Sequence, residues 1–124
     1  MDHNILIADD DEPVRHLIRA GLEGAGYDVA EAANGVEAIR AANATPFDLV
    51  ITDILMPEKD GLETIVHLRK RSPGLKVIAI SGYENALFLA DARGLGAARV
   101  LPKPFKIAEL VAMVRDLLEQ PTAA

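Results

Sequence analysis

Short apolar runs alternate along the chain with longer segments in which apolar residues recur every three or four positions. The short runs are typical of buried strands in a parallel sheet, and the longer pattern is typical of helices that cover such a sheet. Strands are predicted at residues 4–8, 28–32, 48–52, 76–81 and 98–101. Five strands that alternate with five helices predict one doubly wound α/β domain with a parallel sheet.

Caps and glycines mark the ends of the predicted helices. The first begins at Pro13 and is stopped by Gly24, and the second has Asn34 in the capping position. The third follows Gly61, and a fourth covers about residues 85–93. Apolar residues at helical spacing are expected to face the core: Val14, Leu17, Ile18 and Leu22 in the first helix, Val36 and Ile39 in the second, Leu62, Ile65 and Val66 in the third, and Ile107, Leu110, Val111, Val114 and Leu118 in the fifth.

Composition restricts the classes of function. Half of the 124 residues are apolar and 4% are aromatic, so the core must consist mainly of aliphatic side chains. The absence of cysteine excludes disulfides, thiolate metal ligands and a cysteine nucleophile. The net charge of −6 disfavours a surface that binds the phosphates of nucleic acid.

The two ends of the chain and the length of its apolar runs lead to further expectations. The amino terminus lacks the basic leader and long apolar stretch of a signal peptide, and no apolar run is long enough to span a membrane. We therefore expect a cytoplasmic protein without membrane attachment. Residues 1–119 are expected to form the domain, and residues 120–124 a C-terminal tail.

Polar residues stand at the carboxyl ends of the predicted strands. Asp9 and Asp10 follow the first strand, Asp53 follows the third, Ser81 ends the fourth, and the fifth leads into Lys103. In an open α/β sheet, ligands bind beyond the carboxyl ends of the strands. The sequence therefore predicts that carboxylates, a hydroxyl and an ammonium meet at one edge of the sheet.

The acidic run after the first strand has two interpretations. Asp11 and Glu12 are best explained as an N-cap and as partners of the helix dipole, because they stand directly before the first helix. Asp9 and Asp10 are better explained as cation ligands, because Asp53 is expected at the same edge and crowded carboxylates repel one another. A set of oxygen donors without imidazole or thiolate suits Mg²⁺ or Mn²⁺.

Four stretches resemble the response-regulator receiver domain of two-component signalling. They are ILIADDD at 5–11, DLVITDILMPEKDG at 48–61, IAISG at 78–82 and LPKPF at 101–105. They follow the order of the family, and the resemblance covers almost the whole chain. It implies a flavodoxin-like strand order 2-1-3-4-5 in three αβα layers. It also implies a phosphoacceptor of a phosphorelay, which is not an enzyme acting on a separate substrate.

The resemblance implies a role for each residue of the acidic site. Asp53 is similar to the phosphoacceptor aspartate of the family. Asp10, Asp53 and the backbone carbonyl of Leu55 would ligate Mg²⁺ directly, whereas Asp9 would hold a metal-bound water.

Further roles follow from the same resemblance. Ser81 is similar to the switch hydroxyl of the family, and Lys103 is similar to its phosphate-contacting lysine. Pro104 is expected to follow a cis peptide bond, and Gly61 is expected to form the tight turn before the third helix.

Three positions are expected to affect how phosphorylation is reported and how long the phosphoryl group stays on Asp53. Val100 stands where the family often has an aromatic residue whose rotamer reports phosphorylation, so the switch must depend on the neighbouring loop and the fourth helix. Leu55 and Tyr83 flank the phosphorylation site, and both are bulky enough to hinder an attacking water. We therefore expect slow loss of phosphate from Asp53.

The partners are also implied by the resemblance. The donor is expected to be a histidine kinase or a histidine phosphotransfer protein. The surface of helix four, strand five and helix five is expected to switch on phosphorylation and to bind a downstream protein or a second copy of the chain. No direct contact with nucleic acid is expected.

Two other classes of protein stay open at this point. A small Mg²⁺-dependent phosphatase with an aspartate nucleophile would have a second aspartate two residues after the nucleophile, where this chain has Leu55. A flavodoxin-like module for small molecules would need a phosphate-binding loop after the first strand, where this chain has carboxylates.

Overall fold

The computed structural model describes residues 3–54, 61–82 and 86–119, with the backbone alone for residues 86–89. Its strands are β1 (Asn4–Ala8), β2 (Asp28–Ala32), β3 (Leu49–Asp53), β4 (Lys76–Gly82) and β5 (Arg99–Lys103). Its helices are α1 (Glu12–Gly24), α2 (Gly35–Ala44), α3 (Gly61–Arg71), α4 (Ala86–Gly94) and α5 (Ile107–Glu119). Each helix follows the strand of the same number, so five βα units succeed one another.

The strands form one parallel sheet in the order β2-β1-β3-β4-β5. This confirms the predicted doubly wound fold and the strand order that the resemblance implied. β1 and β3 are neighbours, and Ala8 lies beside Thr52. The next residues, Asp9 and Asp53, therefore come side by side where the strand order reverses, which is where such sheets form ligand sites.

The predicted strand bounds are confirmed within two residues. β3 and β5 extend further toward their carboxyl ends than the apolar pattern indicated. Asp53 pairs with Ile80, and Lys103 pairs with Gly82, so both polar residues belong to strands. The sheet itself therefore holds them in place.

The two faces of the sheet carry different helices and different side chains. α1 and α5 cover a face of large aliphatic residues, and α2, α3 and α4 cover a face that contains more alanine and valine. The first core includes Ile5, Ile7, Leu49, Ile51, Ile78 and Ile80 with Ile18, Leu22, Leu110 and Val114. The second includes Leu6, Ala8, Val50, Val77 and Ala79 with Ala38, Ile65, Leu68 and Ala92. Successive residues of the central strands thus enter opposite cores.

Side chains cap the first two helices, as expected. The Asp11 carboxylate accepts a hydrogen bond from the amide of Val14 at 3.3 Å. The Asn34 side chain accepts from the amide of Glu37 at 2.8 Å, and the Glu37 carboxylate accepts from the amide of Ala33 at 3.0 Å. The interpretation of Asp11 as an N-cap is therefore confirmed.

Three apolar residues that were expected to face the core are exposed instead. Leu17 is 58% exposed, Val36 is 37% exposed and Val66 is 44% exposed. In α2 and α3 the apolar pattern was misleading because small or polar residues occupy part of the inward stripe. The buried positions are Ile18 and Leu22 in α1, Gly35 and Ala38 in α2, and Gly61, Thr64, Ile65 and Leu68 in α3.

The helices are short. α1 and α5 have 13 residues each. Within the described ranges, no helix combines the length and the apolar character needed to cross a membrane.

Candidate functional site

The carboxyl edge of the sheet brings together charged residues from three strands. Asp9 follows β1, Asp53 ends β3 and Lys103 ends β5. The Lys103 Nζ lies 2.9 Å from Oδ2 of Asp53 and 3.2 Å from Oδ2 of Asp9. Both carboxylates are buried. The lysine therefore crosses the end of β4 to bridge the two central strands.

Asp10 completes an acidic cluster with these two carboxylates. One carboxylate oxygen from each of Asp9, Asp10 and Asp53 lies within 4.8 Å of the other two. Asp10 is exposed, so the cluster opens to solvent on one side. Three oxygen donors at this separation fit Mg²⁺, which takes few protein ligands and keeps several waters.

Burial and like charge make this cluster of carboxylates energetically costly. Burial raises the pKa of Asp9 to about 6, and the charge of Asp53 adds to this rise, although the Asp11 amide and Lys103 oppose it. Burial alone would lower the pKa of Lys103, but its contacts with Asp53 and Asp9 outweigh burial and raise that pKa. Within the described residues, Lys103 binds two of the three carboxylates, and a bound cation would reduce the repulsion among them.

Ser81 adds a hydroxyl to the same edge. It follows Ile80, the residue of β4 that pairs with Asp53. Its side chain is buried, and in the described part of the chain its Oγ has no hydrogen-bond partner. Burying a hydroxyl without a partner is costly, so this group is suited to bind an oxygen atom of a ligand.

Gly61 fixes the end of β3 against the start of α3. Its amide donates to the carbonyl oxygen of Ile54 at 2.6 Å. A Cβ at this position would collide with the backbone carbonyl of Asp53 and with the Cα of Ile54. Glycine allows this close approach because it has no Cβ, in agreement with the turn expected there.

The loop between β1 and α1 is held from several sides. The Asp9 amide donates to the carbonyl of Ala32 at 3.1 Å, and Oδ1 of Asp9 accepts from the amide of Asp11 at 2.9 Å. Nη1 of Arg15 donates to the Asp9 carbonyl at 2.7 Å. The hydrophobic pattern of the sequence does not indicate that Arg15 binds this loop. The one available signal is its partner Glu31, a charged residue inside a strand.

The other residues singled out from the sequence have different outcomes. Val100 is partly buried in β5 and packs against the core that α2, α3 and α4 cover. The bond between Lys103 and Pro104 is cis, as expected. Leu55 and Tyr83 lie outside the described residues.

The sequence matches known proteins along most of its length. The family model of the response regulator receiver domain matches residues 5–115. The response regulator receiver protein CpdR of Brucella abortus is 37% identical, and the match covers 92% of this chain and 95% of CpdR. The sensor kinase CckA of Brucella abortus is 36% identical over 94% of this chain, which corresponds to 12% of CckA. Similar segments thus occur both as nearly whole proteins and as parts of longer ones.

Solved structures share the fold. The receiver domain of NtrX from Brucella abortus has a TM-score of 0.90 at 31% identity, with 94% of this chain and 99% of that chain covered. The receiver domain of the Francisella response regulator 1452 has a TM-score of 0.87 at 31% identity, with coverage of 94% and 97%. The chain therefore belongs to the response regulator receiver domains, the phosphoacceptor domains of two-component signalling.

Proposed function

We propose that Asp53 accepts a phosphoryl group from a phosphohistidine on a histidine kinase or a histidine phosphotransfer protein. The observation that carries this proposal is the Lys103 ammonium, 2.9 Å from the Asp53 carboxylate at the carboxyl edge of the sheet. Catalysis of phosphoryl transfer consists mainly of positioning and charge stabilisation. A nearly buried nucleophile beside a fixed cation meets both requirements.

The reaction forms one bond and breaks one. A carboxylate oxygen of Asp53 attacks the phosphorus atom, and the P–O bond forms while the P–N bond to the donor imidazole breaks. The electron pair of the broken bond stays on the imidazole nitrogen. Lys103 stabilises the negative charge of the phosphoryl oxygens during the transfer.

Receiver domains generally bind Mg²⁺ through acidic residues, and the acidic cluster fits that ion. We infer that Asp10, Asp53 and the backbone carbonyl of Leu55 bind it directly, and that Asp9 binds it through water. Mn²⁺ suits the same oxygen donors. The bound metal supplies positive charge close to the phosphoryl oxygens.

After transfer, Ser81 and Lys103 hold the new phosphoryl group. The unpartnered Ser81 hydroxyl donates to one phosphoryl oxygen, and the Lys103 ammonium pairs with another. Because these residues belong to β4 and β5, their contacts favour one arrangement of the adjoining surface of α4, β5 and α5. That surface binds a downstream protein or a second copy of the chain. Val100 has no ring to report the change, so the movement of α4 must carry the signal.

The phosphatase interpretation is not favoured. The family match extends over residues 5–115, and Leu55 replaces the second aspartate that such an enzyme would have. We infer a signalling receiver that does not act on a separate substrate, with residues 1–119 as the domain and 120–124 as a tail. A cytoplasmic location, the lack of nucleic acid binding and slow dephosphorylation stay predictions.

The intact mass of the protein after incubation with Mg²⁺ and acetyl phosphate tests the phosphoacceptor. The wild type is expected to gain one phosphoryl group, and a chelator is expected to abolish the gain. Asp53→Asn should gain none, whereas Asp28→Asn, which changes an exposed aspartate at the opposite end of the sheet, should behave as the wild type.

Two results would contradict the proposal. An unchanged gain in Asp53→Asn would exclude Asp53 as the acceptor. A wild type that gains no phosphoryl group from acetyl phosphate or from a phosphorylated histidine phosphotransfer protein would exclude the reaction itself.

A further inference from the structure

Arg15 connects the acidic cluster to an ion-pair network, of which the pair of Arg15 and Glu31 is largely buried. Its Nη1 donates to the backbone carbonyl of Asp9 at 2.7 Å, and its Nε donates to Oε1 of Glu31 at 2.7 Å. The side chains of Arg15 and Glu31 are 12% and 15% exposed. The planar guanidinium, with donors fixed in a fork, therefore bridges the loop after β1 and strand β2.

Glu31 keeps this guanidinium in place and is itself held on its other oxygen. Nη1 of Arg19 donates to Oε2 of Glu31 at 2.8 Å, and Nε of Arg19 donates to Glu23 at 3.1 Å. The formal charges of these two arginines and two glutamates cancel. The network therefore affects the acidic cluster through the position of the Asp9 backbone more than through its charge.

Arg15 binds the backbone carbonyl of Asp9, whereas other backbone groups bind the amide and the carboxylate of Asp9. The Asp9 amide is bonded to Ala32, and its Oδ1 is bonded to the amide of Asp11. With the Arg15 contact, the amide, the carbonyl and the carboxylate of Asp9 are each held by a hydrogen bond. The direction in which Asp9 and the following Asp10 leave the sheet is thereby determined.

We propose that Arg15 and Glu31 are positioning residues for the cation site. Arg15, held by Glu31, fixes the Asp9 backbone so that the Asp9 and Asp10 carboxylates stand at the separation that a divalent cation needs. This inference rests on the proposed function, because it takes the acidic cluster as the Mg²⁺ site. Removing contacts that orient metal ligands typically weakens metal affinity by about 10–100-fold.

Calorimetric titration of the protein with magnesium chloride, without a phosphoryl donor, tests this role. Arg15→Gln removes the donor to Asp9 and should raise the Kd for Mg²⁺ by about tenfold. Arg19→Gln is the matched control, since Arg19 also binds Glu31 but, among the described residues, makes no hydrogen bond or ion pair with Asp9, and its Kd should stay within about twofold of the wild type. Thermal unfolding without Mg²⁺ reports separately how much stability each variant loses.

A conservative variant sharpens the test. Arg15→Lys keeps the charge but cannot bridge the Asp9 carbonyl and Glu31 with one planar group, so its Kd should lie between those of the wild type and Arg15→Gln. Equal Mg²⁺ affinities for Arg15→Gln and Arg19→Gln would overturn the inference, because the network would then serve only the stability of the fold.

Two further variants cover the other outcomes. If Arg15→Gln does not fold, Glu31→Ala leaves Arg15 present without the acceptor of its Nε donor, and wild-type Mg²⁺ affinity in that folded variant would overturn the inference. Asp10→Asn separates the two proposals. If the wild type does not bind Mg²⁺, or if Asp10→Asn binds it equally well, the proposed metal site is wrong and the positioning role falls with it.

Discussion

The middle and the carboxyl ends of β1 and β3 are neighbouring regions with opposite energetics. Ile7 and Ile51, in the middle, are fully buried among aliphatic side chains. Asp9 and Asp53, at the ends, are almost as deeply buried but carry like charges. Burial of the isoleucines favours folding, whereas burial of the carboxylates opposes it. The apolar middle of these strands thus holds in place a site that would not form by its own interactions.

The largest expected effect is on the apolar side of this comparison. Ile7→Ala should lower the free energy of unfolding by about 2–5 kcal/mol, because it removes three buried carbons and leaves a cavity. Leu17→Ala truncates an aliphatic side chain that is 58% exposed on α1, and it should cost less than about 0.5 kcal/mol. Urea denaturation measures both values. Similar losses in the two variants would contradict the assignment of Leu17 to the surface.

A smaller effect is expected where the two regions meet. Gly61→Ala places a Cβ against the backbone of Asp53 and Ile54, so the end of β3 must shift, at a cost of about 2–3 kcal/mol. Gly24→Ala, where a Cβ would meet no atom within 4 Å, should leave stability unchanged or raise it by up to about 1 kcal/mol. Urea denaturation reports the stability, and phosphorylation by acetyl phosphate reports the displacement of Asp53. A normal phosphorylation rate in Gly61→Ala would show that the site tolerates the shift.

The smallest expected effect has the opposite sign. Asp9→Asn should raise the free energy of unfolding by about 1–2 kcal/mol at pH 7.5 without Mg²⁺, because it removes a buried charge from the cluster. Burial raises the pKa of Asp9 from 3.8 to about 6, so the folded protein binds this proton more tightly than the unfolded chain. The wild type should therefore gain stability relative to the variant as the pH falls from about 7 to 5.

Thermal unfolding at several pH values measures this difference. A constant difference between wild type and Asp9→Asn across that pH range would mean that burial does not raise the pKa of Asp9. Loss of stability in the variant at pH 7.5 would mean that the Asp9 contacts with Lys103 and the Asp11 amide outweigh the cost of its burial.

The strands could be predicted because short apolar runs recur between helical segments. Their order could not be read from that pattern, and it came from the resemblance to a family. The inward faces of the helices were predicted only in part. Gly35, Ala38 and Thr64 hold buried positions, and residues this small or polar carry no signal in a hydrophobic pattern.

The candidate site was predictable for a topological reason. Asp9, Asp53 and Lys103 stand at the carboxyl ends of parallel strands, which must share one edge. The contact between Arg15 and Glu31 could not be predicted, because it joins a helix to a strand through two long side chains whose conformations the sequence does not specify.

The separation of the bridged residues along the chain has a consequence during synthesis. Lys103 follows Asp53 by 50 residues and Asp9 by 94. At 5–20 residues per second, the ribosome makes this lysine about 3–10 seconds after Asp53. During that interval both carboxylates have been synthesised, whereas the lysine that binds them has not. The bridge from Lys103 to Asp53 and Asp9 therefore forms only after β5, the last strand of the chain, has joined the sheet.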